Sequence, residues 1–292
     1  MEQREYIVEA EGAGQRIDRF LSGEDTGLSR SALQGLVAEG HVLCNGKAPA
    51  KSLKLKAGDI ILLEIPDAKP IEAVPQEIPL DIIYEDAHLL VVNKPKGMVV
   101  HPAPGNPDGT LVNALLYHCG ESLSGVGGQK RPGIVHRIDK DTSGLVLAAK
   151  NAYAAPLLAG GVAKLYYAIA QGALPLGEGV IDAPIGRRGD SIIGRCVTPE
   201  GKPSRTEYTI LKAENGLSLA ACVPVTGRTH QIRVQFASRK HPLAGDGKYG
   251  SRVKGSIALQ SCGLQFLHPE TGKPMAFTLP LPEGAFWKPF EG

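Results

Sequence analysis

The sequence lacks the features that would mark a secreted or membrane protein. No apolar run approaches the roughly 20 residues of a membrane-spanning helix, and the acidic start MEQREYIVEAEG has no apolar stretch of the kind found in secretion signals. The five cysteines are odd in number, widely separated and without a C-x-x-C pair, which disfavours a zinc knuckle or a redox dithiol. We therefore predict a cytoplasmic protein with reduced thiols and no membrane association.

Motifs that bind nucleotides or metals are also missing. The glycine-rich segment SGVGGQKRPG completes no G-x-G-x-x-G, and G-x-x-x-x-G-K-[ST] occurs nowhere in the chain. His136, Asp139 and Asp141 can be considered as metal ligands, but no second His or Cys cluster with a matching spacing supports them. We therefore predict no metal and no nucleotide or other cofactor.

The net charge is low but unevenly distributed. The whole chain carries a formal charge of +2, whereas the stretch from Arg187 to Lys254 has 13 Lys or Arg and 5 Asp or Glu, a local charge of +8. Such segregation favours a polyanionic partner for one face of the molecule, although the global balance does not require one.

Composition divides the chain into two predicted domains. The stretch PDAKPIEAVPQEIP has four prolines and little periodicity, which is typical of a semi-extended linker. With 42% apolar residues there is enough material for a core on each side of it. We predict an amino-terminal domain over residues 1–66, a linker over 67–79 and a larger domain over 80–292.

The amino-terminal domain combines helical and hairpin patterns. The segments GQRIDRFLSG and LSRSALQGLVAEG space their apolar residues as two short amphipathic helices do, and Asn45-Gly46 is a strong turn signal between strands. Between His41 and Gly58 there is no acidic residue, but there are four lysines that can follow RNA phosphates: Lys47, Lys51, Lys54 and Lys56. A solvated surface is the alternative interpretation of these lysines. The segment SRSALQGLVAEGHVLCNGKAPAKSLKLKAGDIILLEIP resembles the small RNA-binding domain shared with ribosomal protein S-four.

The segment GIVHRIDKDTSGLVLAAK, residues 133–150, holds a dense group of charged and hydroxyl side chains. We predict a charged turn between two apolar strands, a place where a scaffold holds reactive groups rigidly. Ordinary turn chemistry is the alternative on composition alone. A kinase catalytic loop is excluded, because Ile138 separates His136-Arg137 from the aspartate and the downstream Asn and the glycine-rich ATP loop are absent.

Several motifs follow one another from residue 80 to the carboxyl end. They are LDIIYED, VVNKPKGMVVHPAPGNPDGTLVNALL, GIVHRIDKDTSGLVLAAK, KLYYAIAQG, TGRTHQIRVQFA and HPLAGDGKYG. In this order they closely resemble the RluA family of pseudouridine synthases, and an amino-terminal RNA-binding domain is usual in its RluC and RluD branches. The resemblance implies an α+β fold, in which a mixed, mostly antiparallel sheet with flanking helices surrounds a central cleft, beside a small α/β RNA-binding domain.

The resemblance also implies which residues form the site. Asp139 matches the catalytic aspartate, which forms a covalent intermediate with sugar or base or assists cleavage to a glycal; the sequence leaves these routes open. Arg228 matches the arginine expected to pair with Asp139, and Tyr166 matches the aromatic residue that stacks on the target base and helps to remove a proton. The other expected contacts are Ile232 in the pocket wall and Arg137 and Arg233 on the RNA.

We therefore predict an RNA isomerase that converts uridine to pseudouridine in large-subunit ribosomal RNA and acts as a monomer. A transfer RNA substrate is the alternative, and so is a non-catalytic RNA-binding or ribosome-assembly protein of the same fold. Retention of Asp139, Tyr166 and Arg228 favours the enzyme, because a carboxylate that only lined an RNA cleft would repel phosphate. Between Lys150 and Tyr166 the chain is shorter than is usual for the family, and we expect a short helix or a turn there.

Overall fold

The computed structural model of the chain describes residues 2–24, 26, 30–50, 53–65, 73–103, 105–123, 133–189 and 194–291. Within it the chain separates into two units, one of Met1–Lys69 with Arg187–Gly194 and the other of Pro70–Gly186 with Arg195–Gly292. The predicted linker lies partly outside the described residues, and the domain boundaries given above remain a prediction. In the described part of the chain, no helix is long and apolar enough to cross a membrane.

The first unit packs two helices on a small antiparallel sheet. Its strands are ordered β1-β3-β2, and alternate residues of β3, Ile61 and Leu63, are buried against the helices, as expected for a strand with one covered face. Asn45 and Gly46 both adopt positive φ angles in the turn after β2, so the predicted turn is confirmed. The elements are β1 (Glu2–Ile7), α1 (Ile17–Gly23), α2 (Arg30–Ala38), β2 (Val42–Cys44) and β3 (Ile60–Ile65).

The second unit contains a nine-stranded mixed sheet. Its strands are β4 (Ile82–Glu85), β5 (Leu89–Lys94), β6 (Ser143–Ala149), β7 (Ala163–Gln171), β8 (Gly177–Asp182), β11 (Arg205–Glu214), β12 (Leu217–Pro224), β13 (Leu259–Leu267) and β14 (Pro274–Thr278), and the short strands β9 (Ile185–Arg187) and β10 (Arg195–Val197) pair separately. The order is β4-β5-β6-β13-β7-β12-β11-β8, with β14 beside β13. Among the pairings of this sheet in the described part of the chain, only β6–β13 is parallel, so the predicted mixed, mostly antiparallel sheet is confirmed.

Helices cover both faces of the central strands. On one face Leu90 and Val92 of β5 share a core with α3 (Leu111–Cys119) and α5 (Gln231–Ser238), while on the other face Leu89 and Val91 share a core with α4 (Ala154–Ala159). Because both faces are buried, β5 reads as a continuous apolar run rather than an alternating one. The short α4 agrees with the expectation of no long helix between Lys150 and Tyr166.

The segment before β6 differs from the prediction of a turn between two strands. Residues 133–142 form no strand and make one isolated bridge, from Ile134 to Ala148, so the charged segment precedes a single strand. Gly144 explains the sharp entry into that strand. It has φ 114°, and a Cβ at this position would overlap the backbone of Ser261 in the parallel neighbour β13.

Candidate active site

One pocket brings together the predicted residues of the second unit. It has a volume of about 100 Å³ and lies where the segment before β6 meets β7 and the beginning of α5. Among its lining residues are the six that the sequence singled out in this unit: Arg137, Asp139, Tyr166, Arg228, Ile232 and Arg233. Lys164, His230 and Thr142 also line it and were not singled out.

The loop that carries Asp139 is held in position by a buried lysine. Nζ of Lys94, whose residue is 1% exposed, donates hydrogen bonds to the backbone oxygens of Pro95, Met98 and Lys140, the residue after Asp139. Burial lowers the pKa of Lys94 to about 8, against the opposing effect of the nearby aspartates. The ammonium group of Lys94 is therefore hydrogen-bonded to three backbone carbonyl groups in place of water, and these bonds hold the loop in position.

Arg233, and not Arg228, is the arginine that pairs with Asp139. Nη1 of Arg233 lies 3.3 Å from Oδ2 of Asp139, whereas Nε of Arg228 donates to the backbone oxygen of Pro203. The geometry of α5 accounts for the difference, because Arg228 precedes the helix in an exposed loop and Arg233 is its third residue, on the buried side. The expected pairing with Arg228 is therefore wrong, although Arg228 does line the pocket.

The guanidinium of Arg233 is shared between two carboxylates. Nε and Nη2 donate to the two oxygens of Asp246 at 2.8 and 3.0 Å, and Arg233 and Asp246 are 4% and 0% exposed. Burial alone would lower the pKa of Arg233, but Asp246 and Asp139 raise it, so the guanidinium stays charged. A side chain with these contacts points into the protein. We therefore assign Arg233 as the partner of Asp139 and not, as expected from the sequence, as a contact to RNA.

Tyr166 projects from β7 into the pocket and Tyr167 projects from the opposite face of the strand. Tyr166 is 8% exposed, and burial together with the negative charge of Asp139 raises its pKa well above the usual range for tyrosine. The phenol therefore keeps its proton at neutral pH. Lys164, two residues earlier in the strand, reaches the same pocket, as the period of two requires. That period was the available signal for Lys164.

His230 is the second nitrogen-bearing neighbour of Asp139. Its Nε2 lies 3.9 Å from Oδ2 of Asp139, and its Nδ1 lies 2.6 Å from the hydroxyl of Tyr249. Burial lowers the pKa of His230 to about 4, and the charges of Arg233 and Lys248 add to the effect while Asp139 opposes it. The sequence places His230 inside the motif TGRTHQIR, but nothing in the motif shows which atom it faces.

The lysines predicted to bind RNA lie in the first unit. Lys47, Lys54 and Lys56 are exposed on and after the turn that follows β2, while Lys51 lies outside the described residues. Exposure leaves these side chains available to an anion, and it is equally typical of a solvated surface. In the part of the chain that the structure describes, no group of three or more His, Cys, Asp or Glu side chains is placed to hold a metal ion.

Comparisons with known proteins agree on one family. A family model described as RNA pseudouridylate synthase matches residues 88–238. The uncharacterized RNA pseudouridine synthase YlyB of Bacillus subtilis is 43% identical over 291 residues, which cover 97% of this chain and 96% of that protein. The ribosomal large subunit pseudouridine synthase D of Zymomonas mobilis is 42% identical over 303 residues, which cover 97% and 95%.

A solved structure shares the architecture. The human RNA pseudouridylate synthase domain containing 1 superimposes with a TM-score of 0.55 at 26% identity and covers 70% of this chain and 84% of its own. The match to the family model over residues 88–238 includes the whole segment that carries Asp139, Tyr166 and Arg233. The chain therefore belongs to the RNA pseudouridylate synthase family.

Proposed function

We propose that this isomerase acts on uridines of large-subunit ribosomal RNA and that Asp139 is its reacting group. The observation that carries the proposal is the carboxylate of Asp139, which lines the pocket and is held by the buried Arg233. The substrate class is supported by relatives of nearly equal length that are named ribosomal large subunit pseudouridine synthase D, such as the one from Zymomonas mobilis.

The isomerisation has no step that calls for a redox or phosphate-donating cofactor. Isomerisation breaks the bond between the ribose C1′ and N1 of uracil, rotates the base and joins C1′ to C5. C5 loses a proton and N1 gains one, so there is no net oxidation or reduction and no phosphate is transferred. A carboxylate adjacent to C1′ can attack the sugar or base, or assist formation of a glycal. We propose that Asp139 performs this step without a nucleotide cofactor. Arg233 binds Oδ2 of Asp139, and the other carboxylate oxygen, Oδ1, faces the substrate.

We propose that Tyr166 contacts the uracil ring and does not transfer a proton. A phenol whose pKa is raised by burial and by Asp139 is a poor base at neutral pH. Its aromatic face, by contrast, offers stacking that does not depend on sequence and stabilises an extruded base. We propose that Tyr166 packs against the target uracil and that Ile232 closes the pocket wall.

Three cations surround the entrance to Asp139. Arg137, Lys164 and Arg228 line the same pocket, and Arg137 and Arg228 are exposed. Their positive charge offsets the repulsion between Asp139 and the phosphates of an approaching RNA strand. We propose that they contact the phosphates that flank the flipped nucleotide.

The rest of the molecule is assigned to RNA recognition. We propose that residues 1–66 form a separate RNA-binding domain that uses the lysines after β2, that residues 67–79 link it to the catalytic domain of residues 80–292, and that the chain works as a monomer in the cytoplasm. The local positive charge between Arg187 and Lys254 supports a large polyanionic partner.

Release of tritium from uridine C5 tests the substrate assignment. Purified protein is incubated with large-subunit ribosomal RNA or with bulk transfer RNA, each transcribed with tritium at C5, and tritium in water is measured over time. We expect stoichiometric release from at least one site of the ribosomal RNA and none above background from transfer RNA. Release from transfer RNA alone would reverse the assignment of substrate.

A further inference from the structure

His230 is held in a backbone conformation that non-glycine residues rarely adopt. It has φ 57° and ψ 24° and stands immediately before α5. This left-handed conformation is unfavourable for a residue with a Cβ, and such strain concentrates at functional sites. It turns the imidazole into the pocket beside Asp139 and does not cap the helix, since the side chain makes no capping hydrogen bond.

Tyr249 is the hydrogen-bonding partner of His230 Nδ1, and its other contacts indicate which of the two groups carries the proton. The backbone N–H of Arg195 donates to the Tyr249 oxygen, and burial raises the pKa of Tyr249, so the hydroxyl keeps its own proton. Nδ1 of His230 lies 2.6 Å from this oxygen, so the hydroxyl is placed to donate its proton to Nδ1. In a neutral imidazole whose Nδ1 accepts a hydrogen bond, the remaining proton is on Nε2.

The neutral form is the one present at physiological pH. Burial and the charges of Arg233 and Lys248 lower the pKa of His230 to about 4, against the opposing effect of the neighbouring carboxylates of Asp139 and Asp246. Tyr249 also packs on the guanidinium of Arg233, whose Cζ lies 5.2 Å from the centre of the ring. The tyrosine thus touches both nitrogen groups that face Asp139.

The two nitrogen groups approach the same carboxylate oxygen. Oδ2 of Asp139 accepts from Nη1 of Arg233 at 3.3 Å and faces Nε2 of His230 at 3.9 Å. The second distance is about 1 Å longer than a hydrogen bond, and contacts of this kind in empty sites often shorten when the substrate is bound.

We propose that His230 and Tyr249 form a positioning pair for the reacting carboxylate. Tyr249 fixes the proton of His230 on Nε2, and when RNA enters, this N–H closes on Oδ2 of Asp139 and fixes the rotation of the carboxylate, so that Oδ1 faces the ribose. The inference rests on the proposed function of Asp139. Neither residue of the pair touches the reacting atoms in this arrangement, so their effect is on the rate of the chemical step and not on RNA affinity.

Nuclear magnetic resonance tests the tautomer independently of activity. In the full-length protein labelled with ¹⁵N-histidine, long-range proton–nitrogen correlations at pH 7 should assign to His230 a neutral ring with its proton on Nε2. The Tyr249→Phe variant should lose this preference and show a mixture of tautomers. A wild-type ring that is protonated on Nδ1, or charged at pH 7, would overturn the proposal even if the variants failed to fold.

Single-turnover kinetics test the consequence. Loss of one neutral hydrogen bond corresponds to about a 3- to 10-fold decrease in rate, so Tyr249→Phe should lower the rate at saturating enzyme by this factor and leave the Kd for RNA within about twofold. His230→Asn, which tolerates the left-handed backbone, should have an equal or larger effect. Adding Tyr249→Phe to it should change little, because the two residues act as one unit.

Tyr153→Phe is the matched control, since Tyr153 is 59% exposed and does not line the pocket; it should retain the wild-type rate. An unchanged rate for Tyr249→Phe, or a loss confined to RNA affinity, would contradict the positioning pair. If Asp139 itself proves dispensable, the proposed function fails, whereas the tautomer result still stands or falls by itself.

Discussion

Replacement of Asp246 by asparagine tests the electrostatic support of Asp139. The change keeps the size of the side chain and removes the charge that accepts two hydrogen bonds from Arg233 at 2.8 and 3.0 Å. Arg233 is 4% exposed and cannot recover hydration. Its remaining anionic partner is Asp139 at 3.3 Å.

The size of the effect follows from the burial of both partners. Removal of one member of a buried ion pair leaves the other charge uncompensated and costs about 3–5 kcal/mol. For a domain of this size each kcal/mol lowers the melting temperature by about 2–4 °C, so we expect a decrease of about 6–20 °C. Isomerisation should also slow, because a displaced guanidinium no longer holds Oδ2 of Asp139.

Urea unfolding and thermal melting measure the loss, and Arg205→Met provides the control. Arg205 contacts Glu207 at 3.1 Å and Asp182 at 3.7 Å, but all three side chains are at least 44% exposed. Such surface pairs contribute about 0–1 kcal/mol. If Asp246→Asn cost no more than Arg205→Met, the Asp246–Arg233–Asp139 arrangement would not be the support that we describe.

Two further predictions concern other charged groups. The pKa of Lys94 is about 8 in the folded chain and about 10.4 in the unfolded chain, so the unfolded state binds more protons between these pH values. The free energy of unfolding should therefore rise from pH 8 towards pH 10 by up to about 3 kcal/mol. Urea unfolding at pH 7.5, 9 and 10 should show this rise, and the Lys94→Met variant should lack it. Neutralising Lys47, Lys51, Lys54 and Lys56 should weaken RNA binding and flatten its dependence on salt, by about 0.7–0.9 in the logarithmic slope for each phosphate that is no longer bound. An identical salt slope would show that these four lysines take no part in RNA binding.

Much of the site was predictable because it is encoded in local patterns. The period of two along β7 sends Tyr166 and Tyr167 to opposite faces, and the charged segment before β6 supplies Asp139 to the pocket. A residue type typical of helix N-caps also marks the start of α3, where the side chains of Thr110 and Asn113 form a reciprocal capping box.

The choice between two arginines was not predictable from one sequence. Arg228 and Arg233 lie in the same motif, and their different directions depend on where α5 begins and on the distant loop that supplies Asp246. Lys94 illustrates the same limit. A lysine beside a proline at the end of a strand is usually exposed, and its burial follows from three carbonyl groups that only the folded loop brings together.

The measurement that tests the central claim most directly is pseudouridine formation by Asp139→Asn. The purified variant is incubated with unmodified large-subunit ribosomal RNA, and pseudouridine is counted by mass spectrometry beside the wild type and Asp141→Asn, which removes a carboxylate two residues away that does not line the pocket. We expect no product from Asp139→Asn with RNA binding largely retained, and product near the wild-type amount from Asp141→Asn. Product from a folded Asp139→Asn protein at the wild-type rate would contradict the assignment of Asp139 as the reacting group.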